Sequence, residues 1–188
     1  MLNTIEEALT ELRAGRPVLV TDDADRENEG DAILAAELAE PCWVGWMVRH
    51  TSGYLCAPMT EERADQLGLP LMWPTSQDPL RTRYTVAVDA ARGITTGIDA
   101  AQRARTARVL ADAASTPTDL VRPGHVLPLR ARAGGVLDRR GHTEAAVDLA
   151  RLAGLEPVGL IGELVGDDGM CLRADAIADL ARTEGLAF

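Results

Sequence analysis

The sequence has few cysteines, no surplus of positive charge and no long apolar run, and each shortage excludes a class of protein. Cys42, Cys56 and Cys171 are odd in number and lack the spacing of metal ligands, which predicts reduced thiols rather than a disulfide framework. The formal net charge of −10 disfavours DNA, RNA or anionic lipid, because these partners attract cationic surfaces. We therefore expect no nucleic-acid and no membrane partner.

The lengths of the apolar stretches point the same way. No run approaches the roughly 20 apolar residues of a membrane span, and residues 1–12 are acidic and amphipathic, unlike a secretory signal. A chain of 188 residues with 46% hydrophobic and 26% charged residues is typical of a folded domain with one core. We predict a single cytoplasmic domain over residues 1–188.

Helical and strand patterns are interspersed along this domain. Thr4 and Glu7 form a capping box for a helix over residues 4–14, which Gly15 ends. Further helices are predicted to begin after Pro41, Thr60, Asp99 and Thr143 and to cover 174–185, and strands are predicted at 16–21, 85–90, 126–132 and 157–165. Because the two types do not strictly alternate, we predict an α+β fold, a mixed β-sheet flanked by helices.

The most unusual segment is acidic. Six carboxylates and Arg26 fall within residues 22–31, directly after a predicted strand. A solvated surface loop is one interpretation. The other is that the turn at Asn28–Gly30 folds the carboxylates together, where they repel one another unless a cation or protons intervene. Such an oxygen-rich site suits Mg²⁺ or Mn²⁺, and Arg26 could hold a phosphate or carboxylate.

A second candidate site begins at Arg139 and Arg140. These arginines and Gly141 precede Thr143, the predicted N-cap of a helix, and unpaired N–H groups at a helix N-terminus bind anions. A plain capped helix with surface arginines is the alternative. His142 is either a hydrogen-bonded loop histidine or a metal ligand or acid/base group.

Four other residues are weaker candidates. His125 follows a Pro-Gly turn and is either structural or functional. Glu163 interrupts an apolar strand, so it either faces solvent or is a buried carboxylate with a raised pKa that could act as a base. Turn chemistry would explain Thr96, and a small core residue would explain Cys56.

Taken in order, these stretches resemble one protein family. DRENEGD at residues 25–31 and RRGHTEAAVDLA at residues 139–150 are long and specific, and RHTSGYLC, GITTGIDAA, RPGHVLPLRA and GELVGDDG fit the same pattern. The sequence is similar, from about residue 3 to about residue 186, to the 3,4-dihydroxy-2-butanone 4-phosphate synthases of riboflavin biosynthesis.

The resemblance implies a lyase that converts D-ribulose 5-phosphate to L-3,4-dihydroxy-2-butanone 4-phosphate and formate. It implies a requirement for Mg²⁺ or Mn²⁺, with two ions per site, and a homodimer whose active sites are shared between subunits. If Glu27 and His142 met across such an interface, inactive variants of the two residues would complement each other.

The resemblance also assigns residues to roles. Glu27 and His142 match metal ligands that also contact substrate, and His125 and Glu163 match positions essential for catalysis. Further catalytic residues are expected at Asp22, Glu29 and Cys56, and further substrate contacts at Arg26, Asp31, Thr96, Arg139, Arg140, Gly141, Thr143 and Glu163.

Several positions depart from the family pattern. Ala24 replaces a usual glutamate, Gly162 a usual cysteine and Met170 a usual threonine, and the segment 73–84, a candidate for lining the site, differs throughout. These departures suit either a divergent synthase or a paralogue that acts on the same or a related pentulose phosphate in a specialised metabolite pathway. A non-catalytic scaffold that keeps the fold is a third alternative.

Overall fold

The computed structural model describes residues 2–188, which form one mixed sheet with helices on both faces. No helix in this range is long and apolar enough to cross a membrane. The helices are α1 (Ile5–Arg13), α2 (Pro41–His50), α3 (Glu61–Gln66), α4 (Ala100–Ala111), α5 (His142–Leu152) and α6 (Ala174–Glu184), and the strands are β1 (Val18–Thr21), β2 (Gly30–Ala35), β3 (Cys56–Met59), β4 (Val88–Ala90), β5 (Leu120–Arg130) and β6 (Gly159–Glu163).

The strand order in the sheet is β1-β2-β6-β3-β5-β4. β3 and β5 pair in parallel, and the other neighbouring strands pair antiparallel. β6, the last strand in the sequence, therefore lies between β2 and β3, which come more than a hundred residues earlier. This order confirms the predicted α+β class.

Alternating side chains of the inner strands fill a core on each face of the sheet. In β2, Ile33 points to the face covered by α1 and α5, whereas Leu34 points to the face covered by α2 and α4. Both side chains are at most 1% exposed. Burial on both faces is why β2 reads as a nearly continuous apolar run after its acidic start.

Local signals at several helix ends are confirmed. The Thr4 side chain caps α1 by accepting a hydrogen bond from the Glu7 amide. The Glu7 carboxylate in turn accepts one from the Thr4 amide at 2.7 Å, which completes the capping box. The side chains of Thr60 and Asp99 cap α3 and α4 by accepting hydrogen bonds from the amides of Arg63 and Gln102. At the end of α6, Gly185 has the left-handed conformation that glycine adopts most readily.

Other boundaries were wrong or missed. Thr143 is not an N-cap: α5 begins at His142, with Gly141 as its N-cap, so the unpaired N–H groups lie two residues nearer the arginines than predicted. β5 begins at Leu120 rather than at residue 126, because its first half pairs with β4 across a bulge. β3 was not predicted, since four residues that include Pro58 carry too weak a pattern.

Candidate active site

A small polar cavity of about 60 Å³ lies where the acidic loop, the sheet and the N-terminus of α5 meet. The strands β2, β3 and β6 form its floor, and the segment before β4 contributes one wall. The cavity brings together most of the residues singled out from the sequence. Its lining residues are Arg26, Glu27, Glu29, Asp31, Cys56, Thr82, Tyr84, Leu129, Arg139, His142, Thr143, Ile161 and Glu163.

Asp22 gives the acidic loop its shape. Its carboxylate accepts hydrogen bonds from the amides of Glu27 at 3.0 Å and Glu29 at 2.9 Å, and Asn28 between them has a positive φ of 53°. Burial opposes ionisation of Asp22, but these bonds and Arg26 at 2.7 Å outweigh it, so the pKa is lowered. Asp22 supports the cavity without lining it, and the fold turns Glu27 and Glu29 inward.

Glu27 and His142 are the residues in this cavity that could hold a divalent cation. The His142 ring is 8% exposed, and its Nε2 atom is buried without a hydrogen-bond partner among residues 2–188. Its Nδ1 atom lies 3.2 Å from Asp31 Oδ1. Burial lowers the pKa of His142, which keeps the ring neutral at neutral pH, the form that binds metal.

The donor set fits Mg²⁺ or Mn²⁺. Burial raises the pKa of Glu27, and a nearby cation would oppose that rise. No group of three or more His, Cys, Asp or Glu residues within 2–188 is arranged to hold a metal. Magnesium commonly takes only one or two protein ligands and completes its coordination shell with water and substrate oxygens, so a site with two protein ligands is sufficient for it.

Two carboxylates face each other on the cavity floor. Asp31 of β2 and Glu163 of β6 are direct cross-strand partners, and Asp31 is only 3% exposed. Burial and the neighbouring Glu163 raise the pKa of Asp31 well above its ordinary value, which favours its protonated form. Glu163 accepts a hydrogen bond from Ser52 Oγ at 2.7 Å. The pair can therefore offer an acid and a base side by side.

Cys56 lies beside this pair at the start of β3. Its side chain is buried, and burial followed by the charge of Glu163 raises the pKa of the thiol. A thiol that stays protonated can donate a hydrogen bond but does not act as a thiolate nucleophile.

Two arginines, Arg26 and Arg139, also line the cavity. The chain has no lysine, so its fixed side-chain cations are all arginines. Arg26 and Arg139 both lie against Gly141: a Cβ atom there would be 2.2 Å from Arg139 Nη1 and 3.0 Å from Arg26 Nη2. Two guanidinium groups and the first amides of α5 thus converge on one spot, which is an anion site by ordinary electrostatics.

The structure does not bring Arg140 to this spot. Its side chain is 80% exposed and pairs with Asp23 at 3.2 Å outside the cavity. Consecutive residues in an extended or turning backbone point in different directions, so the adjacent arginines of the motif separate in space. Arg26, from the acidic loop, takes the place that the sequence pattern suggested for Arg140.

His125 belongs to a separate cluster. Its ring Nδ1 atom lies 2.7 Å from Asp89 Oδ2, and its backbone amide donates to Asp89 Oδ1 at 3.0 Å. The segment carrying Thr96 packs on the same carboxylate, since a Cβ on Gly97 would be 2.1 Å from Asp89 Oδ2. Neither His125 nor Thr96 lines the cavity of its own chain.

Sequence reasoning missed several supporting residues. Asp89 orients His125, and the buried Glu144 binds Arg139, but neither residue was given a role from the sequence. Thr82 and Tyr84 line the cavity and belong to the divergent segment 73–84. The sequence identified that segment but not these residues, because which side chains of an irregular loop point inward depends on tertiary contacts.

The fold and cavity define an α+β protein whose site combines candidate ligands for a divalent cation with arginines that suit an anion. A family model described as 3,4-dihydroxy-2-butanone 4-phosphate synthase matches residues 6–188. The chain belongs to that family.

Individual relatives agree with this assignment. The chain is 62% identical over 179 residues to the riboflavin biosynthesis protein RibBA of Salinispora arenicola, an alignment that covers 95% of this chain and 42% of the relative. The chain thus spans less than half the length of the curated relative.

Solved structures of the family superpose closely. A 3,4-dihydroxy-2-butanone 4-phosphate synthase crystallised with two magnesium ions is 45% identical, with a TM-score of 0.94 over 99% of this chain and 92% of that one. The synthase of Candida albicans is 49% identical, with a TM-score of 0.92 over 100% of this chain and 93% of that one.

Proposed function

We propose that this chain catalyses the conversion of D-ribulose 5-phosphate to L-3,4-dihydroxy-2-butanone 4-phosphate and formate in riboflavin biosynthesis. The observation that carries the proposal is the cavity of a family member in which Glu27, His142, Asp31 and Glu163 face two arginines at a helix N-terminus. The relatives that act in riboflavin biosynthesis favour this pathway over a specialised one.

The substrate would bind with its phosphate at Gly141. Arg26, Arg139 and the amides at the start of α5 supply the charge-assisted donors that a phosphate requires. Such an anchor would hold the sugar carbons beside Asp31 and Glu163, which line the same cavity. Binding energy at a remote phosphate is a general means of positioning the reacting atoms.

The carboxylates would move protons. Glu163 is placed to accept a proton from a carbon next to the ketone, and Asp31 beside it, whose raised pKa favours the protonated form, is placed to return one. Glu27 and His142 would hold Mg²⁺ or Mn²⁺, which when bound withdraws electron density from the sugar oxygens and acidifies the neighbouring C–H bonds. With two ions per site, Glu27 and His142 would share their ligation with water and substrate.

The active form would be a homodimer with shared sites. His125 is held rigidly by Asp89 yet lies outside the cavity of its own chain, and its side chain is 40% exposed. A residue expected to be essential but turned away from its own site can act in the site of a second copy. We therefore assign His125 and Thr96 of each subunit to the other subunit's cavity.

The remaining partners are simple. The net charge of −10 leaves no general attraction to nucleic acid or anionic lipid, so the sugar phosphate and a second copy of the chain are the proposed partners. Three free thiols suit a reducing cytoplasm.

Formate release tests the proposal directly. The purified protein with D-ribulose 5-phosphate and Mg²⁺ should release one formate per four-carbon phosphate product, measured with formate dehydrogenase and by ¹³C NMR. EDTA should stop the reaction. Folded, metal-supplied protein that releases no formate would refute the assignment and favour the scaffold alternative.

A pair of loop variants adds a control. Glu27→Gln should abolish turnover and weaken Mg²⁺ binding, because an amide is a poor ligand for a hard cation. Asp25→Asn removes a carboxylate from the same loop, but Asp25 is exposed and outside the cavity, so its activity should stay near that of the wild type. An equal loss of activity in both variants would show that the negative charge of the loop matters, rather than a metal ligand at Glu27.

A further inference from the structure

The start of α5 contains a buried carboxylate that the proposed chemistry does not use. Glu144 is 1% exposed, and a buried carboxylate is costly unless its oxygens are paired. Both are: Oε1 accepts from the amide of Arg132 at 3.0 Å, and Oε2 accepts from Arg139 Nη1 at 2.7 Å. Both oxygens of Glu144 are therefore bonded within the protein, and its side chain does not line the cavity.

Arg139 extends this network to the segment before β4. Its Nε atom donates to the carbonyl oxygen of Leu80 at 3.0 Å, and its Nη2 atom donates to Thr82 Oγ1 at 2.9 Å. A guanidinium group has five N–H donors, and these contacts with Glu144, Leu80 and Thr82 use three. Two remain for a ligand in the cavity, and their direction is fixed by the other three.

The cavity is also far smaller than the several hundred Å³ of typical small-molecule sites. Its wall at Thr82 is bonded to Arg139, so the side chain that meets the anion also holds the wall in place. A residue that holds the Arg139 side chain in place therefore also holds the cavity wall at Thr82.

We propose that Glu144 is a positioning residue that orients Arg139 toward the substrate phosphate and, through Arg139, holds residues 80–82 against the cavity. The part of this inference that concerns phosphate rests on the proposed function. The part that concerns the segment depends only on the contacts of Glu144 and Arg139, so the two can fail separately.

Asp148 provides a matched control. It lies one turn further along α5 and accepts from the amide of Val136 at 2.9 Å, so it also ties this helix to the loop after β5. Its carboxylate does not contact Arg139 or line the cavity. Asp148→Asn and Glu144→Gln thus make the same chemical change on the same helix, but only the latter alters the Arg139 network.

Limited trypsin digestion tests the hold on the segment without requiring activity. Arg81 is exposed and lies between the two residues that Arg139 binds, so cleavage after Arg81 reports release of the segment. Glu144→Gln should be cleaved there at least about fivefold faster than the wild type, because its amide offers one acceptor where two are needed. Asp148→Asn should be cleaved at the wild-type rate.

Kinetics test the orientation of Arg139. Glu144→Gln should raise KM for ribulose 5-phosphate about tenfold with a smaller change in kcat, and should change turnover of unphosphorylated ribulose little. In an Arg139→Ala background, Glu144→Gln should add little to either effect, because its action passes through Arg139. Asp148→Asn should leave KM unchanged.

Several outcomes would overturn the proposal. If folded Glu144→Gln is cleaved after Arg81 at the wild-type rate, Glu144 does not hold residues 80–82 against the cavity. If the effects of Glu144→Gln and Arg139→Ala on KM are additive, Glu144 does not act through Arg139. If the wild type releases no formate, the proposed function fails, while the digestion still decides the role of Glu144. Should Glu144→Gln not fold, Glu144→Asp keeps the charge but shortens its reach, and cleavage no faster than in the wild type would refute the proposal.

Discussion

Glycine is required at position 141 of the proposed anion site because it has no side chain. A methyl group there would displace the guanidinium groups of Arg139 and Arg26, which lie where its Cβ would be. The backbone of this residue, with φ of −113°, accepts alanine without strain. We expect Gly141→Ala to fold normally and to raise KM for ribulose 5-phosphate about tenfold, equivalent to about 1.4 kcal/mol of binding.

Arg140→Ala is the comparison for that prediction. Because the Arg140 side chain is exposed and pairs with Asp23, its loss should change KM less than Gly141→Ala does. The ratio of kcat/KM for ribulose 5-phosphate to that for ribulose is the measurement. If this ratio falls for Arg140→Ala but not for Gly141→Ala, the substrate phosphate binds outside the cavity, near Arg140.

At this scale the sequence specified residue types better than their positions. The acidic loop and the arginine-glycine-histidine motif indicated carboxylates, guanidinium groups and an imidazole, and the structure brings these groups into one cavity. The sequence did not reveal that Arg26 rather than Arg140 meets Gly141, or that Asp89 holds His125, because both depend on contacts between residues distant in sequence.

Among the elements, the loop between β1 and β2 carries a pH dependence. The pKa of Asp22 is lowered in the folded protein, so its stabilising effect is present above the ordinary carboxyl pKa of about 4 and is lost as pH falls through the folded value. Asp22→Ala should therefore reduce the free energy of unfolding at pH 7 by roughly 2 kcal/mol. The difference from the wild type should shrink toward pH 3.

Urea denaturation at the two pH values, with EDTA present, measures this difference. Asp25→Ala removes an exposed carboxylate from the same loop and should change stability little at either pH. A difference for Asp22→Ala that stays constant from pH 7 to pH 3 would show that its ionised form does not hold the loop.

Elements with local signals were predictable, and elements made by pairing were not. The capping box of α1 and the glycine after α6 are encoded within a few residues, so their positions follow from the sequence. β3 exists because Cys56–Met59 lies between β5 and β6, and the early half of β5 exists because β4 pairs with it. Neither neighbour is visible in a local pattern.

For the whole molecule, the proposed sharing of active sites between two subunits predicts which inactive variants can rescue each other. Glu27→Gln and His125→Ala should each be inactive alone, and after subunit exchange about half of the dimers carry one intact site of two, restoring about a quarter of the activity. Glu27→Gln with His142→Ala should show no rescue, because both residues line the cavity of one chain.

This second pair of variants tests the alternative in which Glu27 and His142 meet across an interface. Mass spectrometry of differently tagged subunits establishes that exchange has occurred. Recovery with the His142 variant, or none with the His125 variant after confirmed exchange, would reverse the assignment of His125 to the neighbouring subunit's site.

The place of β6 in the sheet affects how the chain folds during synthesis. β2 and β3 cannot complete their pairing until residues 159–163 have left the ribosome, so one apolar edge of each strand stays open until then. Pairing between such distant segments is slow, which prolongs the exposure of those edges. Substitutions in β6 other than at Glu163, the proposed base, should therefore lower the soluble yield before they lower the specific activity of the molecules that fold.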